Sequence, residues 1–236
     1  MNEFVQLPEG GSGMIEVIKV ASREEGQTKA HDLLRTLVDG QTLLALSGGT
    51  SSDYSKMIVE PDDVLPGSIC VIDERYGEPF HKDSNELLMR EMGVKDFADK
   101  HRIESRKVLS GADFQQTVED YNLAIEDLFK RFPRRVGIPG VGSNMHTAGI
   151  FPNSLATHSP DYVVGETVDN KFPQRITLTL KALGQFTNFV ILVFGEGKKE
   201  ALQEMLDDAE NDMQKYPAIF YRKAPIKSYL VTDIDI

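Results

Sequence analysis

Cysteine occurs once in the 236 residues, at Cys70. A single thiol closes no intramolecular disulfide, so the fold must be held by its core, as in a reducing compartment. Cys70 lies in the apolar run Ser68-Ile69-Cys70-Val71-Ile72, where a thiol reads as a buried strand residue. No apolar run approaches the ~18 residues of a membrane span. The N-terminus lacks a basic stretch followed by an apolar one, so no signal peptide is expected and a cytoplasmic location is. An excess of basic residues is missing too. Lys and Arg number 26 against 37 Asp and Glu, a formal net charge of -11. That charge repels a phosphodiester backbone and argues against a nucleic-acid partner. The histidines are scattered and no zinc-ligand spacing occurs. The glycine-rich segments match neither a Walker P-loop nor a Gly-x-Gly-x-x-Gly fingerprint, so no metal or cofactor is expected.

What is present is the composition of a globular protein: 40% hydrophobic and 27% charged residues. Residues 1–13, with Pro8, Gly10, Gly11 and Gly13, read as a flexible lead-in, and 14–236 as a single α/β domain. Strands are expected at Ile15–Val20, Thr42–Ser47, Ser68–Ile72, Arg135–Ile138, Arg175–Thr179 and Phe189–Phe194. Several are continuous apolar runs, the pattern of parallel strands covered on both faces. Helices are expected at Arg23–Val38, with Ser22 as N-cap, and at Ser84–Met92, Ala112–Phe132 and Lys198–Ala209. Strands alternating with helices predict a doubly wound, mostly parallel sheet with helices on both faces, a modified Rossmann-like architecture.

Five segments carry residues suited to chemistry. An apolar strand ends in Ser47-Gly48-Gly49-Thr50, a turn whose backbone an anion can approach and from which a helix is expected to follow. Asp73, Glu74 and Arg75 directly follow another strand, at the sheet edge where parallel α/β proteins bind ligands. Gly140-Val141-Gly142-Ser143-Asn144-Met145-His146 places a histidine on a glycine-rich turn. There it serves either as a packing residue or as a general base. Arg175 opens a β-rich stretch, and Gly195-Glu196-Gly197-Lys198 delivers a lysine to a helix start. Either cation suits a phosphate or a surface role.

In this order the segments resemble the 6-phosphogluconolactonase branch of the glucosamine-6-phosphate isomerase/6-phosphogluconolactonase superfamily. The resemblance covers Ser47-Gly48-Gly49; Asp73-Glu74-Arg75 with His81, Asp83, Ser84 and Asn85; His146-Thr147-Ala148 with Phe151-Pro152; Arg175-Ile176-Thr177-Leu178-Thr179; and Gly195 with Lys198. Deaminases of that superfamily typically carry tyrosine where this chain has Arg75. They also carry a glutamate-containing segment after the histidine, which is absent here. The resemblance implies hydrolysis of 6-phosphoglucono-δ-lactone with His146 as base, assisted by Asp73 and Asn144. Ser47, Gly48, Gly49, Thr50, Arg75, Arg175 and Lys198 would bind a sugar phosphate, the one small-molecule partner expected. The chain departs from the family's Asp-Gly before the histidine, having Asn144-Met145. Loss of that carboxylate is worth ~1–3 kcal/mol in a partly buried site. Two alternatives stay open: an amino-sugar phosphate deaminase or isomerase using Asp73, and a catalytically impaired sugar-phosphate binder.

Overall fold

The computed structural model describes residues 15–169 and 171–236; the lead-in expected at 1–13 lies outside them. Ten strands occur in chain order: β1 Ile15–Lys19, β2 Thr42–Leu46, β3 Ser68–Val71, β4 Asp73–Arg75, β5 Glu104–Ser105, β6 Arg134–Ile138, β7 Val163–Thr167, β8 Gln174–Leu178, β9 Asn188–Val193 and β10 Lys227–Thr232. The helices are α1 Arg23–Leu37, α2 Asn85–Glu91, α3 Val94–His101, α4 Phe114–Arg131, α5 Leu180–Leu183, α6 Lys199–Leu206 and α7 Phe220–Lys223. None of the described helices is long and apolar enough to cross a membrane.

Seven strands form one sheet in the order β1-β10-β9-β6-β2-β3-β5, every pair parallel. From β2 the chain winds outward through β3 to β5, then returns to β6 and winds the other way. Because crossovers between parallel strands are right-handed as a rule, winding in two directions carries helices to opposite faces, the doubly wound arrangement. Leu43, Leu44, Ala45 and Leu46 of β2 are fully buried, as are Val190 to Val193 of β9. That two-sided burial explains why these strands read as unbroken apolar runs.

The expected single sheet needs a correction at Arg175–Thr179. β8 lies in a second, three-stranded antiparallel sheet, β4-β8-β7. The stretch from Ser68 to Arg75 changes sheets at Ile72. Its N–H donates to Leu46 O at 2.8 Å in the large sheet, and its carbonyl accepts from Leu178 N at 2.9 Å in the small one. Strand β10, unpredicted, sits between β9 and β1. The helix expected from Lys198 begins one residue later, after a single 3₁₀ turn at Glu196–Lys198.

Local sequence accounts for the helix starts. Ser22 Oγ accepts from Glu25 N, Ser84 Oγ from Leu87 N and Asp113 from Gln116 N, each capping a first turn. α1 buries Ala30 and Leu34 on the expected face, with Leu33 and Leu37 packed at its margin.

Candidate active site

The strands of the large sheet are parallel, so the loops leaving their carboxyl ends gather along one edge. The winding direction reverses between β2 and β6, where loops diverge and leave a crevice. A cleft of about 510 Å³ opens there, and every expected site residue except Asn144 lines it.

The loop after β2 is held from three directions. The Tyr54 hydroxyl donates to Ser47 O at 2.6 Å and accepts from Ser47 N at 3.1 Å. Buried Gln27 of α1 donates to Ser51 O at 2.9 Å and accepts from Asp53 N at 2.9 Å. Ser47 Oγ donates to Ile138 O at 2.9 Å, tying the ends of β2 and β6 together. No helix starts directly after the Gly-Gly turn, contrary to expectation. A five-residue π turn begins only at Ser55. An anion at this turn therefore meets loop N–H groups rather than a helix N-terminus.

β4 sorts its three charged residues by alternation. Asp73 and Arg75 line the cleft. Glu74 lies on the opposite face and does not join them. Its Oε1 accepts from Arg75 N and Asn85 N, both at 2.7 Å, and its Oε2 accepts from Ser84 Oγ at 3.1 Å and Glu86 N at 2.8 Å. Glu74 thus pins the entry of α2. His81 also serves structure, with Nε2 donating to Arg75 O at 2.8 Å and Nδ1 accepting from Asp83 N at 3.3 Å.

Arg75 and Arg175 stand directly opposite each other in the β4–β8 pair. Like charges in that register repel. Both guanidinium groups lie over the Phe172 ring, 5.0 and 5.4 Å from its centroid. Arg175 Nε donates to Phe172 O at 3.0 Å, and Arg75 Nη1 donates to Asp83 O at 2.8 Å. From the far wall, Lys198 reaches Ser51 Oγ at 3.3 Å. Burial, then nearby Arg23, lowers the Lys198 ammonium from its usual value. Four cationic side chains, with Lys171 the fourth, line the cleft against one carboxylate, Asp73. In a chain of net charge -11 this local reversal is what an anionic ligand needs. Burial raises the Asp73 carboxyl, opposed by Arg75, Arg175 and Asn85.

His146 sits in a small loop closed by the bridges Val141↔Thr147 and Thr147↔Ile150. Thr147 Oγ1 bonds to Gly140 O at 2.9 Å and to the Tyr221 hydroxyl at 2.7 Å. The imidazole stacks on Phe151 with centroids 4.7 Å apart. A Cβ at Gly142 would lie 2.0 Å from Cε1, so a larger residue there would push the ring aside. Nδ1 bonds to Asn144 Oδ1. An amide oxygen only accepts, so Nδ1 carries the proton and Nε2 holds the basic lone pair. Burial pulls the imidazole down to about 4, with Arg175 and Lys198 adding to it. Asn144 itself lines an adjoining cleft of about 630 Å³ rather than the main one. Met145 takes φ +65°, the left-handed conformation that glycine adopts without cost.

Phe172, Lys171 and the stacking partner Phe151 also line the cleft. None was singled out as a site residue from sequence. Phe151 lay inside a quoted motif, whereas Lys171 and Phe172 precede β8 in a loop without periodicity.

A family model described as glucosamine-6-phosphate isomerases/6-phosphogluconolactonase matches residues 20–228. The chain belongs to this family. A 6-phosphogluconolactonase of Synechocystis sp. is 32% identical over 193 residues, covering 77% of this chain and 78% of that protein. A glucosamine-6-phosphate deaminase of Lactobacillus johnsonii is 26% identical, covering 82% and 85%. The fold matches the crystal structure of a 6-phosphogluconolactonase from Shewanella baltica with a TM-score of 0.75 at 19% identity, covering 98% of this chain and all of that one.

Proposed function

We propose that this chain hydrolyses 6-phosphoglucono-δ-lactone to 6-phosphogluconate, with His146 activating water. The observation that carries this reading is the placing of four cations and a glycine turn in one cleft with a histidine whose Nδ1 is already engaged. The relatives named 6-phosphogluconolactonase support it.

The substrate phosphate would be held by Arg175, Lys198 and the N–H groups of the loop after Ser47. This charge-assisted binding lies far from the reacting carbon and orients the ring. His146 Nε2 takes a proton as the water oxygen bonds to the lactone carbonyl carbon. The developing oxyanion needs a donor, and Arg75 is the available one on that wall. Collapse breaks the bond between the carbonyl carbon and the ring oxygen. The leaving oxygen takes the proton back from the imidazolium, giving a hydroxyl and a carboxylic acid that ionises. Asp73 orients sugar hydroxyls. At neutral pH the imidazole is in its base form, although a value near 4 makes it a weak base. A bound phosphate offsets the field of Arg175 and Lys198 and strengthens that base.

The decisive assay generates the lactone in situ and compares its loss with spontaneous hydrolysis, beside a parallel assay with glucosamine 6-phosphate. His146→Ala should lower kcat/KM by roughly 10²-fold or more. Arg175→Ala should act mainly on KM. An unchanged rate in His146→Ala removes the base assignment. Turnover of glucosamine 6-phosphate alone would instead assign the deaminase reaction, with buried Asp73 as its base.

A further inference from the structure

Asn85, the first residue of α2, is wholly enclosed. Its side-chain amide is engaged on one side. Nδ2 donates to Asp73 O at 2.7 Å and approaches the Asp73 carboxylate Oδ2 at 3.4 Å. On the other side Oδ1 is shut off from solvent, and no donor among the described residues reaches it. It is pressed against Gly48: a Cβ there would lie 1.8 Å from Oδ1 and 2.2 Å from Cγ. A buried acceptor without a donor is costly, and folded proteins retain few of them. Turning the amide over gives no relief, because Oδ1 would then face two oxygens of Asp73. The backbone is fixed as well, with Asn85 N donating to Glu74 Oε1 at 2.7 Å. The carboxamide is therefore clamped between the acid of β4 and the glycine turn after β2.

We propose that Asn85 is a positioning residue that couples the Asp73 carboxylate to the Ser47-Gly48-Gly49 turn, fixing the separation between the hydroxyl-binding and phosphate-binding ends of the site. This rests on the lactonase reading above. Asn85 touches neither water nor lactone; it acts through its two neighbours. Asp73 keeps its orientation because Nδ2 holds it, and the turn keeps its path because Oδ1 fills the space beside Gly48. A substrate whose phosphate and ring must both be seated depends on that spacing, since small displacements of reacting groups are expensive in rate.

The test is a double-mutant cycle at positions 48 and 85, with thermal melting of every variant to establish folding. Gly48→Ala drives a methyl group into the carboxamide and should lower kcat/KM by about 10²-fold, the scale of a ~1 Å misplacement. Asn85→Ala should lower kcat more than it raises KM. In the double variant the methyl group occupies the vacated space, so activity should recover about tenfold relative to Gly48→Ala alone. Losses that simply multiply would overturn the coupling. Asn85→Ser opens the same space and replaces Asn85→Ala in the cycle if the latter does not fold. Asn85→Asp replaces the Nδ2 donor with an oxygen facing two oxygens of Asp73 and should lower kcat/KM at least as far as Asn85→Ala; unchanged activity in that variant also counts against the proposal. Absence of lactonase activity in the unmodified chain would defeat the functional reading alone. Calorimetric binding of inorganic phosphate then reads the same cycle without turnover: weakened by Gly48→Ala and restored in the double variant if Asn85 sets the turn, not restored if it does not.

Discussion

Asn144 meets the His146 ring with a neutral oxygen, so it selects the tautomer without adding charge. A carboxylate there would favour the imidazolium. Asn144→Asp should raise the His146 pKa from about 4 by ~1–3 units. The base form is lost as pH falls through that value, so the acid limb of kcat/KM should shift upward in the variant. The second ionisation of the substrate phosphate, near pH ~6, is common to both proteins and drops out of the difference. A limb at the same pH in both would show that residue 144 does not govern the base. The neighbouring Met145 poses a stability question. Its left-handed backbone costs ~1–2 kcal/mol. Its side chain, however, is only 3% exposed, and burying it contributes ~1.5–3 kcal/mol. Packing exceeds strain, so Met145→Gly should lower stability by about 1 kcal/mol in urea unfolding. A stabilised variant would reverse that ranking.

Strand β4 shows how one short element divides chemistry from architecture. Glu74 accepts all four of its hydrogen bonds from the entry of α2 and from its own strand. Glu74→Gln turns two acceptor positions into donors facing Ser84 Oγ and Glu86 N. It should cost about 1–3 kcal/mol in a denaturant midpoint measurement while the cleft keeps its cations. From sequence, the three residues were one charged group at a strand end; only the pleat separates them. The central strands were legible because two-sided burial makes them uniformly apolar. Lys227-Ser228-Tyr229-Leu230-Val231-Thr232 and Val163-Val164-Gly165-Glu166-Thr167 lack that uniformity and went unrecognised as strands. Arg175–Thr179 read correctly as β, but its place in a separate antiparallel sheet was not legible, since burial on both faces occurs in the small sheet too. The site was legible where a motif residue follows a strand, as at Ser47, Asp73 and Lys198. Phe172 was not, because its role arises from where two arginines converge.

Across the whole molecule, the acidic exterior and the cationic cleft act at different ranges. Salt screens exposed charges beyond about 10 Å, whereas the partly buried cluster is screened less. The sheet has a comparable division of labour. β10 lies between β9 and β1 and supplies the only strand that β1 pairs with among the described residues. A chain ending at Ala224 should therefore lose the cooperative unfolding transition seen by circular dichroism, rather than shed a dispensable tail. A truncated chain that still melts sharply would mean that β9 tolerates an open edge. The same placement bears on how the protein is made. On the ribosome, β2, β3 and β6 can pair as they emerge, but β1 must wait, unpaired, until translation has passed Thr232. Through that interval β1 lacks its only strand partner among the described residues, which marks it as a segment for a chaperone to shield.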